Sequence, residues 1–525
     1  MIACSEKNTP DNPGGGGDGT DTTSTPTDTT MVSTDTIQIT WSGVSATVVG
    51  SHTGVEVTSD KGYVTVNSTV KDIAYLLSGT GQGQLTIYGT NRHQLILNNL
   101  SLSCSDGPAI NNQCKKSCFV ALVGTNSLTD GSTYATSDED RKAAFFSEGQ
   151  MIFSGAGSLT VKGNYKHAIA SDDYIQFTTG TGSLSLTAAA DGLHANDGIY
   201  FDGGAFAIAA EADGIQCDTA EIIINEGAIT ITKAGDKGIT AYGDITINGG
   251  VIRISSEYKC IKAGKKENNK IVSAGNITIN GGDIQAICNG TSSGGGGGGP
   301  WGGGSSSDSS SPEAIEAKGT ITINGGYVYA YSSDDAINAA GDMTINDGFV
   351  MAHSTGNDGM DANGNLYIKG GLVYAIGARS PELAIDANTE GGKKLYITGG
   401  TIIAVGDLEG GTSISGGTCK YTTSWTATSW YALYNGNTLV TAFKTPTKSS
   451  SGGGPGGGGP GGGGPGGGGS SSQKLVVYTS STPALKSGVT VSSGETIWNG
   501  MANPSASVSG GSSVSLSNYS SNSGW

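Results

Sequence analysis

Acidic side chains recur along this sequence at a nearly constant spacing, which suggests cation binding. If they lie on stacked β-strands, neighbouring carboxylates are roughly 4.8 Å apart and repel one another unless water or a cation intervenes. Calcium takes roughly six to eight oxygen ligands, which carboxylates, amides and turn carbonyls supply. We therefore predict Ca²⁺ as a cofactor, with these metal-binding residues: Asp191, Asp213, Asp236, Glu313, Glu316, Asp334, Asp335, Asn338, Asp358 and Asp361.

The densest part of this set runs from Glu313 to Asp361. An alternative is that the aspartates only serve turns, because Asp and Gly are both favoured there. Turn formation explains isolated aspartates, but it explains a group in two columns less well. We expect the functional site in this part of the chain.

Aromatic residues form a second candidate site, because flat rings in a row suit the faces of sugars. The predicted carbohydrate-binding residues are Tyr327, Tyr329, Tyr331, Tyr374 and Trp301. Two alternatives remain open: another segment of the chain covers the tyrosines, and Trp301, which lies among glycines, packs on its own protein.

The candidate calcium and sugar sites are compatible with two functions: calcium-dependent binding of polysaccharide, or its cleavage by a calcium-dependent polysaccharide lyase. β-Elimination of a uronate needs a metal and a base, and Arg253, Lys259 or Lys262 would be the candidate base. We expect the two lysines to be solvated, because they lie on an outward column of the repeat. The sequence thus favours a non-catalytic binder, and no catalytic residue is assigned.

An internal repeat positions these side chains. Its marker is a small residue that begins at Ala168 and recurs to Ala384 with steps of 24, 22, 24, 22, 54, 22, 23 and 25 residues. Each repeat has a first segment around the marker, a second segment such as Ile245–Gly250 (ITINGG) and a third segment such as Val251–Ser255 (VIRIS). The long step contains a glycine-rich insertion.

All three segments alternate apolar and polar residues, and turn residues separate them, as expected for short strands. Strands this short cannot bury an apolar face alone and must stack on copies of themselves. A repeat of about 22 residues with three strands predicts an all-β parallel β-helix. Small residues such as Ala241 and Cys217, and alternate residues of the third segments such as Val328, should point inward.

Composition supports this class. The 525 residues include 89 glycines and only 14% charged residues, as in a turn-rich β protein. A net charge of −17 argues against nucleic acid as a partner. No apolar stretch is long enough to span a membrane. Disulfides are possible in an exported protein, with Cys104, Cys114 and Cys118 as candidates.

The sequence predicts three regions. Residues 1–34 contain a polar linker after Met1-Ile2-Ala3-Cys4-Ser5, which resembles the end of a bacterial lipoprotein signal. Cys4 would then be lipidated and the exported protein anchored at the cell surface or outer membrane, although a chance cysteine is the alternative. Residues 35–420 form the β-helix with the insertion 290–311, and residues 421–525 form a C-terminal β segment with a Gly/Pro-rich loop at 449–472.

The chain resembles a known family in its repeat and in four short segments: Leu97-Asn98-Asn99-Leu100, Gly107-Pro108-Ala109-Ile110, Thr125–Gly131 and Ala170–Tyr174. These resemble the bacterial carbohydrate-binding right-handed parallel β-helix proteins related to pectate lyases. The resemblance implies a right-handed β-helix that binds calcium and acidic, pectin-like polysaccharide. Combined with the residues above, it predicts a monomeric protein that binds polysaccharide without cleaving it and contacts the membrane only through a lipid anchor. The alternative functions are a polysaccharide lyase and a structural or adhesive surface protein.

Overall fold

The protein is all-β. The computed structural model describes Met31, Ser33 and residues 35–268, 270–291, 311–448 and 473–520. Within these ranges every regular element is a strand, and no helix long and apolar enough to cross a membrane occurs. Cys4, Trp301, most of the predicted linker and insertion, and the Gly/Pro-rich loop 449–472 lie outside the described residues.

The first segments of the repeat form one 13-stranded sheet. Its first two strands are antiparallel, and each later strand runs parallel to the one before it. The strands are Val55–Asp60, Tyr63–Ser68, Gln84–Gly89, Ile110–Asn112, Ala143–Ser147, His167–Ser171, Leu193–Ala195, Ile215–Cys217, Lys237–Ala241, Lys259–Ala263, Glu313–Ala317, Ile337–Ala339 and Met360–Ala362.

The second and third segments form two parallel series within a 30-stranded sheet. The second-segment strands are Cys118–Val123, Met151–Ser154, Tyr174–Phe177, Gly198–Phe201, Ile222–Ile224, Ile245–Ile247, Ile277–Ile279, Ile321–Ile323, Met343–Ile345, Leu366–Ile368, Leu395–Ile397 and Ser413–Ile414. The third-segment strands are Thr125–Thr129, Ser158–Gly163, Ser183–Ala188, Ala205–Ala210, Ala228–Ala234, Val251–Ser256, Asp283–Cys288, Tyr327–Ser332, Phe349–Ser354, Leu372–Ile376 and Thr401–Val405.

The remaining strands lie before, within and after these series. Thr36–Gly43, Ile73–Gln82 and His93–Ser103 are parallel to one another, and Ser45–Val49 is antiparallel to the first of them. Lys265–Glu267 and Lys270–Ser273 form a hairpin. Leu475–Thr479 pairs antiparallel with Thr401–Val405 and Thr418–Thr422, which also pairs with Ser517–Asn518. A five-stranded antiparallel sheet contains Trp430–Asn435, Thr438–Lys444, Pro483–Ser493, Ala502–Asn503 and Ser507–Val514.

Identical residues stack from one repeat to the next. Ile245, Ile277 and Ile321 are paired in register, and all three are fully buried. Burying a side chain of this size contributes about 1.5–3 kcal/mol relative to leaving it exposed. Stacked apolar residues in all three series therefore form one continuous core. The small residues and third-segment residues predicted to point inward, including Ala241, Cys217 and Val328, are in this core, which confirms that prediction.

The turns after the second segments depend on glycine, and several of them also use asparagine. Gly326 has a φ of +86°, and a Cβ added there would lie 2.7 Å from the carbonyl oxygen of Gly282. Only glycine fits this conformation and this close approach. The preceding asparagines form a ladder: Asn280 donates to Asn248 and accepts from Asn324, with 2.7 Å for each hydrogen bond. The N-G-G sequence thus fixes the register between repeats.

The seven cysteines of the described residues are all free and buried. Cys104, Cys114 and Cys118 therefore do not form the disulfide for which they were candidates. Cys118 instead packs in the apolar core as a small hydrophobic residue, whereas the thiols of Cys104 and Cys114 donate to Asp106 and to the carbonyl oxygen of Asn91.

Candidate carbohydrate-binding site

The first-segment sheet places charged side chains of successive repeats directly beside one another. Lys262, Glu316, Asn338 and Asp361 occupy equivalent positions in four consecutive strands. Asp335 and Asp358, which precede two of the markers, lie in the turns that lead into the same strands, and Glu313 begins its strand. The sequence-predicted column is therefore a real line of neighbouring groups, but its members have different environments.

A buried lysine, Lys259, and a half-buried one, Lys318, pair with Glu313 and Glu316 of the Glu313–Asp361 group. Lys259 Nζ lies 2.6 Å from Glu313 Oε2 and 3.3 Å from Glu316 Oε2, and it also donates to the carbonyl oxygen of Ser311 at 2.8 Å. Lys318 donates to the other oxygen of Glu316. Burial opposes the ionisation of Glu316, but Lys259 and Lys318 outweigh it and lower its pKa. Burial raises the pKa of Glu313 to about 7.

The expectation that Lys259 and Lys262 are solvated is wrong. Their residues are only 1% and 3% exposed. Lys259 is held inside by two carboxylates and a backbone carbonyl, so that its charge is compensated without water. Arg253 instead lies on a third-segment strand, where it pairs with Asp283. The three candidate lyase bases are therefore not brought together in one site.

The Asp335, Asp358 and Asp361 carboxylates of the Glu313–Asp361 group have no lysine or arginine partners among the described residues. Asp335 accepts hydrogen bonds from the Asn338 side chain at 3.1 Å and from the Asp358 backbone at 3.0 Å. Asp358 accepts one from the backbone of Leu383. Burial and then neighbouring carboxylates raise the pKa of Asp335 well above its usual range and that of Asp361 to about 6.

For Asp358, burial raises the pKa to about 7, and the carboxylates around it act in the same direction. Asp334 lies beside this group and accepts a hydrogen bond from Asn357 at 2.8 Å. Ionising these aspartates would therefore concentrate negative charge that no basic side chain of the described residues balances. Their oxygens, with the amide oxygen of Asn338, are the donor set that a hard cation such as calcium prefers.

The other three predicted metal ligands lie upstream and do not join this group. Burial raises the pKa of Asp213 to about 7. Asp236 pairs with Lys237. Asp191 lies between two histidines, His167 and His194, whose Nδ1 atoms are 3.0 and 2.9 Å from its Oδ2. Burial opposes the ionisation of Asp191, but these two hydrogen bonds outweigh it and lower its pKa.

The predicted aromatic residues divide into covered and exposed members. Tyr374 is fully buried beneath the C-terminal antiparallel sheet and donates to the carbonyl oxygen of Lys444 at 2.9 Å. Tyr329 is buried in the same apolar cluster, which also contains Trp498. The covering segment therefore removes Tyr374 from the surface, whereas Tyr329, although buried, still lines the cleft described next. Tyr331 is half-buried.

Tyr327 is the exposed member, with 42% of its surface accessible, and its ring stacks on that of Phe349 at 4.8 Å with an interplanar angle of 5°. The pair lines a cleft of about 710 Å³ between the third-segment strands and the C-terminal sheet. Arg253 and Asp283 also line this cleft, and residues Glu495–Asn499 form its opposite wall. Aromatic faces beside paired polar groups are the elements that sugars require.

Residues 59–359 match the family model described as carbohydrate-binding domain-containing protein, which is more than half of the chain. The chain belongs to this family. The match includes Tyr327, Phe349 and most of the acidic group, and it ends before Asp361 and the C-terminal sheet. Membership supports carbohydrate as the partner of this protein.

Other comparisons add little to the family assignment. The polysaccharide lyase-like protein from C. thermocellum, solved as a gadolinium derivative, is 22% identical and has a TM-score of 0.35, with coverage of 49% of this chain and 95% of its own. A search of curated proteins finds no significant match.

Two features of this carbohydrate-binding family protein were not predicted from its sequence. The first is the far wall of the aromatic cleft, because nothing in residues 495–499 signals packing against a strand more than a hundred residues earlier. The second is the pair His167 and His194 around Asp191. Their positions before and after successive markers of the repeat could have revealed it, because the repeat places those positions side by side.

Proposed function

We propose that this protein binds polysaccharide in a calcium-dependent manner without cleaving it. Carbohydrate as the partner rests on the family match. The observation that carries calcium is the set formed by the buried carboxylates of Asp335 and Asp358 and the half-buried carboxylate of Asp361, whose pKa values are raised and which have no basic partner among the described residues. A bound cation would offset the repulsion between these carboxylates. It would also offer a coordination position to the carboxylate of an acidic sugar.

Two finer parts of the proposal concern architecture and location. We propose that the three strand series wind as a right-handed parallel β-helix, since each series repeats every 22–25 residues through most of the chain. Cys4 would anchor an exported protein at the cell surface through acyl chains, each buried CH₂ contributing roughly 0.8 kcal/mol. Acidic, pectin-like glycans are favoured because calcium can bridge protein and uronate carboxylates.

Binding without cleavage is favoured because the candidate bases are separated. Lys259 is neutralised by Glu313 and Glu316, whereas Arg253 lines the aromatic cleft. A lyase needs a base beside the metal-bound uronate. Neither residue meets this condition beside Asp358 and Asp361.

The test incubates the full chain with polygalacturonate and with a neutral glucan, in calcium or in chelator. We expect binding of polygalacturonate in calcium, loss of binding in chelator, and no rise in the absorbance of unsaturated sugar ends. Asp361→Asn should weaken calcium-dependent binding. Sustained formation of unsaturated ends would overturn the non-catalytic proposal, and binding that is equal in chelator would overturn the calcium dependence.

The aromatic cleft is tested separately by Tyr327→Ala. Removing a stacked ring should weaken glycan binding by about two- to twelvefold, which corresponds to about 0.5–1.5 kcal/mol. Tyr165→Ala is the matched control, because Tyr165 is 46% exposed and stacks on Tyr134 at 4.1 Å far from the cleft. Equal losses in both variants would mean that the cleft does not bind the glycan.

A further inference from the structure

The cluster of His167, His194 and Asp191 has the composition of a transition-metal site. His167 begins one first-segment strand, His194 lies in the next, and Asp191 lies in the turn between them. The histidine rings stack with centroids 4.3 Å apart, and both Nδ1 atoms approach Asp191 Oδ2. All three residues are buried. Two neighbouring repeats thus direct three ligand atoms to one point.

Hydrogen bonding alone does not satisfy His167. The backbone N–H of Asp191 points at His167 Nδ1 from 3.2 Å, and Asp191 Oδ2 lies 3.0 Å from the same nitrogen. If Nδ1 is unprotonated, two lone pairs face each other across that distance. If Nδ1 is protonated, it cannot accept from the backbone. In either neutral tautomer Nε2 is buried without a partner among the described residues. A cation between Nδ1 and Oδ2 removes the conflict between the facing lone pairs.

The distances suit a small divalent ion. Zinc binds imidazole nitrogen and carboxylate oxygen at about 2.0–2.2 Å, so tetrahedral ligand atoms lie about 3.3 Å apart. The three ligand atoms here lie within 4.8 Å of one another, with two separations of 2.9 and 3.0 Å. Only small side-chain movements separate this arrangement from a coordinated one.

The surrounding groups act as an outer shell. His194 uses Nδ1 toward Asp191, and its Nε2 lies 3.4 Å from Asp218 Oδ2. A metal-ligating histidine commonly donates its other N–H to a carboxylate in this way. The remaining oxygen of Asp191 accepts the backbone N–H of Asp213 at 3.0 Å, which fixes the carboxylate. Asp191 also lines a cavity of about 280 Å³, which gives an ion a route to it.

We propose that His167, His194 and Asp191 bind a borderline divalent transition metal of the zinc class, with Asp218 as the outer-shell partner of His194. Imidazole nitrogen selects such ions over calcium, which prefers oxygen alone. This site is distinct from the calcium group at Asp335–Asp361. It cross-links two adjacent repeats, and its two-histidine, one-carboxylate ligand set leaves a coordination position for water or a bound ligand.

The experiment uses the full folded chain after metal removal and follows histidine ¹⁵N resonances as zinc chloride is added. The protein has only five histidines, so the resonances are separable. We expect two residues to shift, with Nδ1 as the coordinating atom, at one equivalent of zinc. Cobalt chloride should give the visible absorption of a four-coordinate ion. Excess calcium chloride should displace neither metal.

Variants assign the ligands. His167→Gln and His194→Gln should each weaken zinc binding by about 100-fold or more, and Asp218→Asn by about 10- to 100-fold, the usual effect of an outer-shell partner. His52→Gln is the control, because that histidine lies outside the cluster and pairs with Asp35. Zinc binding that persists in both ligand variants overturns the proposal. If those variants fail to fold, absence of the two ¹⁵N shifts in the unmodified protein overturns it as well.

Discussion

Replacing Asp358 by asparagine should stabilise the calcium-free protein at neutral pH. Asp358 is buried, and its carboxylate accepts the backbone N–H of Leu383. Asparagine keeps an oxygen at that position, so the hydrogen bond is retained while the charge is removed. The variant therefore isolates how much ionisation of the Asp358 carboxyl lowers the free energy of unfolding.

The magnitude follows from the pKa. An ordinary aspartate has a pKa of 3.8, whereas burial and the neighbouring carboxylates raise that of Asp358 to about 7. One pKa unit corresponds to about 1.4 kcal/mol, so ionisation costs the folded state on the order of 4 kcal/mol. Between these two values the folded state binds more protons than the unfolded state, and stability therefore falls as the pH rises. Below about pH 4 the two states are protonated alike.

The assay compares urea unfolding midpoints at about pH 4.5 and about pH 7.5, in chelator and in calcium, because a long repeat protein need not unfold in two states. In chelator, Asp358→Asn should raise the midpoint at the higher pH and change it little at the lower pH. Calcium should stabilise the unmodified protein strongly at the higher pH and the variant less, since binding to the folded state adds stability.

Asp347→Asn is the matched control. Asp347 also accepts a backbone N–H, that of Gly348 at 2.8 Å, but it lies on an exposed turn. Its substitution should leave all four midpoints nearly unchanged. The reasoning is refuted if Asp358→Asn lowers the calcium-free midpoint at about pH 7.5, or if both variants behave alike.

Three further predictions are read from the same unfolding midpoints. Lys259→Met should destabilise by about 3–5 kcal/mol, because Glu313 remains buried without its cation while Glu316 keeps only Lys318; Lys115→Met, which removes an exposed ammonium 3.8 Å from Glu148, should cost less than about 1 kcal/mol, and equal effects would contradict burial as the cause. Asn280→Ala should cost about 1 kcal/mol, because it removes two ladder hydrogen bonds, and an unchanged midpoint would show that the ladder contributes nothing. Gly326→Ala should cost roughly 1–3 kcal/mol more than Gly180→Ala, since both glycines have positive φ but a Cβ at Gly180 meets nothing within 4 Å; a smaller loss at Gly326 would contradict the close approach.

The strand pattern was predictable from the sequence because it depends on local alternation and on the repeat. Val328 and Ala330 point inward and Tyr327 outward as the period of two requires. The same alternation could not tell which outward tyrosine stays exposed. Tyr374 and Tyr327 occupy similar outward positions, yet only Tyr374 lies under the C-terminal sheet. That difference depends on packing between segments far apart in sequence, which no local pattern encodes.

The acidic column was predictable as a line of residues, but its chemistry was not. The sequence places Lys259 on the same outward column as its neighbours, and this position suggests a solvated side chain. Its burial requires two carboxylates from the following strand and the carbonyl of Ser311 at once. Such compensation depends on side-chain conformations and on a segment that enters from the insertion, so only the folded structure reveals it.

Charge compensation along the column explains why function should concentrate where it does. Two imidazole rings flank Asp191, and lysines compensate Asp236, Glu313 and Glu316. Between Asp334 and Asp361 the described residues supply no such partner, although Asp335 and Asp358 are buried as well. A buried carboxylate without a partner must either keep its proton or recruit a cation. We therefore propose that lysines neutralise this position at Asp236, Glu313 and Glu316, and that an external cation does so at Asp335–Asp361, in the repeats whose third-segment strands present Tyr327 and Phe349.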